Sequence, residues 1–169
     1  ILTMIYRLGV MVGAENKTNT LIEDLQQNID AAKRFAENID QGPKIYFEEW
    51  PNPMISAIAW VSECIELCGG IDVFSHLSKS HHAKGRIIGR SDVVVEQNPD
   101  VVIGSWCGKK FNRKEVFQRT GWENISAVKN EMVFEIKTTI ILQPGPAVLT
   151  EGLQSLQKII TMWKSTIKN

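Results

Sequence analysis

Residues 101–105 read "VVIGS", a short run with no charged residue in it. A run so short and so continuously apolar predicts a strand buried on both faces, as in a parallel sheet covered by helices. Its flanks agree. Upstream, "RSDVVVEQNPD" (90–100) predicts a short helix with Ser91 as N-cap, closed by Asn98-Pro99. Downstream, "WCGKKFN" is a loop, residues 113–118 form another short helix, and "AVKNEMVFEI" turns at Lys129-Asn130 into a strand.

A second strand lies at "KIYFE" (44–48), bounded by breakers and rich in β-formers. It runs into Tyr46–Pro53, "YFEEWPNP", which sets two adjacent carboxylates, a tryptophan and two prolines at a strand end. Residues 55–68 read as a helix with Ile58, Val61, Ile65 and Leu67 mostly on one side, stopped by Gly69-Gly70. The polar region to Gly89 reads as loop with one or two short strands. From Lys17 to Asn38 the residues Leu21, Ile22, Leu25, Ile29, Ala32 and Phe35 recur three and four apart, predicting one long amphipathic helix. A closing helix from Val148 to Lys164 turns Leu149, Leu153, Leu156, Ile160 and Trp163 inward. Strands separated by helices give an α/β fold: a three-layer lobe whose mostly parallel central sheet is covered on both faces.

The 169 residues are 43% hydrophobic and 22% charged, which suits one globular unit with a sizeable core. Lys+Arg and Asp+Glu balance at 19 each, so no net field draws the chain to nucleic acid or an acidic membrane. No apolar run approaches the about 20 residues that span a bilayer. "ILTMIYRLGVMVG" opens without Met and spaces Ile1, Leu2, Ile5 and Leu8 helically, like the end of an element whose partners lie upstream. The chain is therefore expected to be a fragment.

No GxSxG, P-loop, GxGxxG or HExxH is present. Glu48 and Glu49 are consecutive, so on a strand they face opposite ways and do not form an acid/base pair on one atom. Cys64, Cys68 and Cys107 do not make a disulfide framework. The pair Cys64 and Cys68 with His76, His81 and His82 admits a metal reading, but small core thiols are favoured because the spacing matches no usual zinc site. Cys107 beside Gly108 admits a small α/β enzyme with a cysteine nucleophile, although no histidine is placed to reach it. The run Lys109, Lys110, Arg113, Lys114 is either an anion contact or a solvated loop. Ligands of open α/β sheets bind beyond the carboxyl ends of the strands, so Trp50 and Trp106, at matching strand ends, suit a large, flat, partly apolar ligand or else plug the sheet edge.

"YFEEWPNPMISAIAWVSECIELCGGIDVF", "SDVVVEQNPDVVIGSWCG", "GWENISAVKNEMVFEI" and "ILQPGPAVLTEGL", in that order, resemble the C-terminal lobe of the cobalamin and iron-siderophore class of ABC-transporter substrate-binding proteins, with the vitamin B12-binding type nearest. The resemblance runs from about residue 17 to the end and implies three parts: residues 1–16 as the tail of an N-terminal lobe, 17–40 as the long connecting helix, and 41–169 as the C-terminal ligand-binding lobe. It implies no enzyme and no intrinsic cofactor. Cobalamin or another metal chelate, such as a ferric siderophore or haem, would be carried between two lobes to ABC permease subunits, with membrane contact only through the permease. Cleft residues carried over are Glu49, Trp50, Pro51 and Pro53, then Trp106, Cys107 and Gly108, then Gln143. The permease-docking carboxylate aligns with Asp92. As the first residue of a helix, Asp92 equally complements the helix dipole, worth about 0.3–1 kcal/mol. The class implies a periplasmic or surface-anchored protein, while three free cysteines leave the cytoplasm open.

Overall fold

Two hydrophobic cores share one sheet, and successive residues of its central strands alternate between them. Ile45, Phe47, Val101 and Ile103 enter the first core, and Tyr46 and Val102 the second. That alternation is why the runs Ile45–Phe47 and Val101–Ile103 are apolar at every position. The computed structural model describes residues 1–167. Its elements are α1 (Leu2–Met11), α2 (Glu15–Ala36), β1 (Lys44–Pro51), β2 (Met54–Ser56), α3 (Ala59–Leu67), β3 (Ile71–Asp72), α4 (Ser75–Ser78) and β4 (Ile87–Ile88). There follow α5 (Asp92–Gln97), β5 (Val101–Gly104), α6 (Arg113–Phe117), α7 (Ser126–Lys129), β6 (Val133–Glu135), α8 (Thr138–Ile141) and α9 (Glu151–Ile167).

The sheet order is β4-β2-β1-β5-β6, with β3 beside the start of β1. Strands β3, β1, β5 and β6 are parallel, and β2 runs against both β1 and β4. Helices α2, α3 and α9 cover the first face through Leu25, Ala32, Val61, Ile65, Leu153, Leu156 and Ile160. On the other face α5, α6, α7 and the turn Trp122–Asn124 contribute Val94, Val116, Ala127 and Trp122. Tyr46 meets Phe74 and Trp122 edge-on at 5.7 and 5.8 Å. The three-layer, mostly parallel architecture expected from the sequence is the one observed.

Several local expectations change. Ile55 and Ser56, expected to open a helix, lie instead in β2 with Met54, because Asn52-Pro53 makes a two-residue turn that lays Ile55 opposite Trp50 and Met54 opposite Pro51. Strand β1 consequently runs on to Pro51, and α3 starts only at Ala59. Region 70–89 holds two short strands as expected, but also α4 and the 3₁₀ turn Ala83–Arg86. Ser91 makes no side-chain cap bond; its Oγ accepts from Trp122 Nε1 at 2.7 Å. The closing helix is broken at Thr150, so that Pro146–Leu149 is a 3₁₀ turn and α9 starts at Glu151.

Helix α2 spans 22 residues, about 33 Å at 1.5 Å per residue. Against it lies α1, where Gly9 lets the helices approach so closely that a Cβ would meet the Thr18 side chain. Among the described residues no helix is long and apolar enough to cross a membrane.

Candidate functional site

The carboxyl ends of β1 and β5 are tied together past the regular ladder. Ser105 N–H donates to the Glu48 carbonyl at 2.9 Å, and Cys107 N–H to the Glu49 carbonyl at 3.3 Å. A β-bulge between Glu48 and Trp50 shifts the register of the outgoing hairpin. The loop after β5 and the hairpin after β1 therefore form one continuous rim.

Beneath that rim lies a carboxylate. Glu48 is 0% exposed and accepts from Tyr46 Oη at 2.8 Å, Trp106 Nε1 at 2.9 Å, and Arg119 through Nη1 at 2.6 Å and Nη2 at 2.8 Å. The bidentate Arg119 contact is the strong planar form of a charge-assisted bond. Burial works against the Arg119 charge, yet the bonds and charge of Glu48 hold its pKa above the ordinary value. Burial first, and then the Glu48 charge, push the Tyr46 phenol well above its own. On the second carboxylate, Glu49, Arg86 donates from Nη1 at 2.6 Å and Nη2 at 3.3 Å, and Arg86 Nη1 also reaches the Ser56 carbonyl. Consecutive glutamates thus serve separate partners, as the strand alternation requires.

Of the residues named from the sequence, Trp50 is half-buried, with its Nε1 donating to the Asn52 carbonyl at 2.9 Å. Glu49 and Pro51 are half-buried beside it, and Pro53 is exposed at the hairpin tip. Cys107 and Gly108 are exposed, and Gly108 takes a φ of +74° that suits glycine. Trp106 matches the alternative in which it plugs the sheet edge. It is 2% exposed, because pairing that continues to Cys107 turns its indole down into the second core, edge-on to Phe111 at 4.9 Å. The two tryptophans at matching strand ends are therefore not equivalent: one borders the rim and the other lies beneath it.

Thr138 Oγ1 donates to the Trp106 carbonyl at 3.2 Å, attaching the segment after β6 to the same rim. Gln143 lies exposed beyond α8. Asp92, first residue of α5, is exposed and pairs with Arg90 at 3.1 Å. Lys109 is not a free cation: it contacts Glu115 at 3.1 Å and lies 4.7 Å from the Trp106 ring centroid. Glu48, Arg86 and Arg119 are not among the site residues that the sequence names. The one signal for them is a carboxylate following apolar strand residues, which demands a buried partner without saying which.

Cys64 and Cys68 lie in the first core, and burial pushes each thiol up to about 12. Among the described residues no three His, Cys, Asp or Glu side chains are placed to hold a metal ion.

A model of the family described as "Periplasmic binding protein" matches residues 1–139. Among curated proteins, the chain is 23% identical over 155 residues to the "Uncharacterized ABC transporter substrate-binding lipoprotein YvrC" of Bacillus subtilis (strain 168), covering 90% of this chain and 47% of that protein. The fold is similar to S. aureus IsdE complexed with heme (TM-score 0.77, 18% identity, 94% of this chain and 63% of that one). It is also similar to the periplasmic vitamin B12 binding protein BtuF of Vibrio cholerae (TM-score 0.65, 18% identity, 90% and 55%). The chain thus spans about half the length of the curated relative that it matches. With a match over most of its residues and an α/β lobe of the same fold, the chain belongs to the periplasmic binding protein family.

Proposed function

We propose that this chain is the C-terminal lobe of the substrate-binding component of an ABC importer, and that its rim forms one wall of a cleft for a metal chelate, a corrinoid such as cobalamin first. The observation that carries this is the Cys107-to-Glu49 backbone bond, which joins two strand-end loops into one surface at the end of the sheet where α/β folds bind ligands. Glu49, Trp50, Pro51 and Pro53 supply one part of the wall, Cys107 and Gly108 the next, and Gln143 the third. Trp106 acts from below. The half-buried Trp50 indole offers the apolar, flat contact that a macrocycle needs. Cys107 serves as a wall contact rather than a nucleophile, and the protein binds and releases its ligand without chemistry.

Residues 1–16 belong to the tail of an N-terminal lobe, 17–40 to a connecting helix and 41–169 to the ligand-binding lobe. The exposed Met4, Tyr6, Leu8 and Val10 of α1 support this division, since they are apolar and unpaired in the lobe itself. Asp92 meets the permease. A lipoprotein relative supports a surface-anchored location. Burial of Cys64 and Cys68 lessens the conflict with an oxidising compartment, because buried thiols of raised pKa are unreactive.

The test is titration of the full-length protein with cyanocobalamin, haem and a ferric siderophore, followed by tryptophan fluorescence. Saturable quenching by cyanocobalamin, weakened by Trp50→Ala, supports the corrinoid. Quenching by haem or the siderophore alone reassigns the ligand, and no response to any of the three sinks the chelate reading.

A further inference from the structure

We infer that Glu48 is a positioning residue: it seats Trp106 beneath the rim and so fixes the Cys107-Gly108 segment in its ligand-facing conformation. This rests on the binding reading above. All four bonds to Glu48 come from donors, namely Tyr46 Oη–H, Trp106 Nε1–H and two Arg119 N–H groups. Neither the indole nor the guanidinium can accept, so an acceptor-only side chain is the one that satisfies the set. The donors come from three places: β1 itself, the loop leaving β5, and the segment after α6. Glu48 is the point where they converge.

Stability alone does not call for this arrangement. An apolar residue at position 48 would continue the inward alternation of β1, and replacing a buried ion pair as a whole, here at both 48 and 119, by well-packed apolar groups is often neutral or stabilising. What the carboxylate adds is geometry. With Trp106 Nε1 held, the backbone on either side of Trp106 is fastened to the Glu48 and Glu49 carbonyls, and Thr138 closes on the Trp106 carbonyl. Arg119, with 16% of its side chain exposed, lies 4.5 Å from the Trp122 ring centroid and covers the open side of Glu48. The loop is set before ligand arrives, which lowers the ordering cost of binding.

The experiment compares Trp106→Phe with Tyr46→Phe in the full-length protein. Each keeps its ring and removes one donor from the same carboxylate. Amide exchange at Cys107 and Lys109, measured without ligand, is expected to accelerate about ten-fold in Trp106→Phe and Glu48→Gln and to stay unchanged in Tyr46→Phe, whatever the shift in Tm. Affinity for cyanocobalamin or haem, by calorimetry, should fall in step with the exchange. Equal exchange in Trp106→Phe and Tyr46→Phe would overturn the inference and leave Glu48 a purely structural acceptor. If Trp106→Phe fails to fold, Glu48→Gln is compared with Tyr46→Phe by the same exchange criterion. Faster exchange in a protein whose parent binds neither probe upholds the positioning role and discards the ligand reading instead.

Discussion

Replacing Arg119 by Met should destabilise the protein far more than replacing Arg86 by Met, although Arg86 is the more deeply buried guanidinium. The side chains themselves are 16% and 2% exposed, respectively. What decides the outcome is the carboxylate left behind. Glu48 is wholly buried and loses two of its four donors with Arg119, whereas Glu49 has 18% of its side chain exposed and reaches water when Arg86 goes. Removing one partner of a buried pair costs about 3–5 kcal/mol, which for a chain of this size lowers Tm by about 6–20 °C. Arg86→Met removes the donor to the Ser56 carbonyl but also relieves a buried Nε with no partner, so its cost should be about 1–2 kcal/mol. Urea unfolding of both variants, compared at unchanged slope, measures the difference. A loss at Arg119→Met below about 1 kcal/mol, or a larger loss at Arg86→Met, would show that Glu48 does not depend on its ion pair.

Gly104→Ala should cost about 3 kcal/mol, because a Cβ there falls 2.0 Å from Phe111 Cε2; a double variant with Phe111→Ala should recover part of that loss in the same urea assay. With a thiol reagent at neutral pH, Cys107 should react in the native protein, and Cys64 and Cys68 only after unfolding; native labelling of either core thiol would contradict their burial. Burial raises the Asp72 pKa in the fold, against the bonds from Ser62 and the Phe74 amide. The folded state therefore holds the proton more tightly than the unfolded one, and this stability is fully present below the unfolded pKa and lost as pH rises through the folded value. Asp72→Asn, which keeps an acceptor for Phe74, should flatten that fall in Tm across the mildly acidic range; an unchanged Tm profile would count against it. Acrylamide should reach Trp50 and leave Trp106 and Trp122 unquenched.

The layers of the fold were legible because their causes are local. Apolar runs such as Val101–Ile103 and the three-and-four spacing from Leu21 to Phe35 follow from the geometry of a strand or helix, and α2 was located to within two residues at either end. The helix expected from residue 55 failed for a different reason. Nothing in Met54–Ser56 itself signals a strand; it becomes one because the preceding turn presents it to β1 and β4 offers the other edge.

The candidate site divides along the same line. Strand alternation sufficed to say that Glu48 and Glu49 look opposite ways, and a spacing that matches no usual zinc site favoured Cys64 and Cys68 as core thiols, which is where they lie. The direction of the Trp106 indole depends on how far β1 and β5 stay paired, and the partner of Glu48 lies 71 positions away at Arg119. A sequence states that a buried carboxylate must find donors, since an unpaired one is too costly. Only the folded chain determines which distant segments bring them, because that choice is made by packing two cores around one sheet.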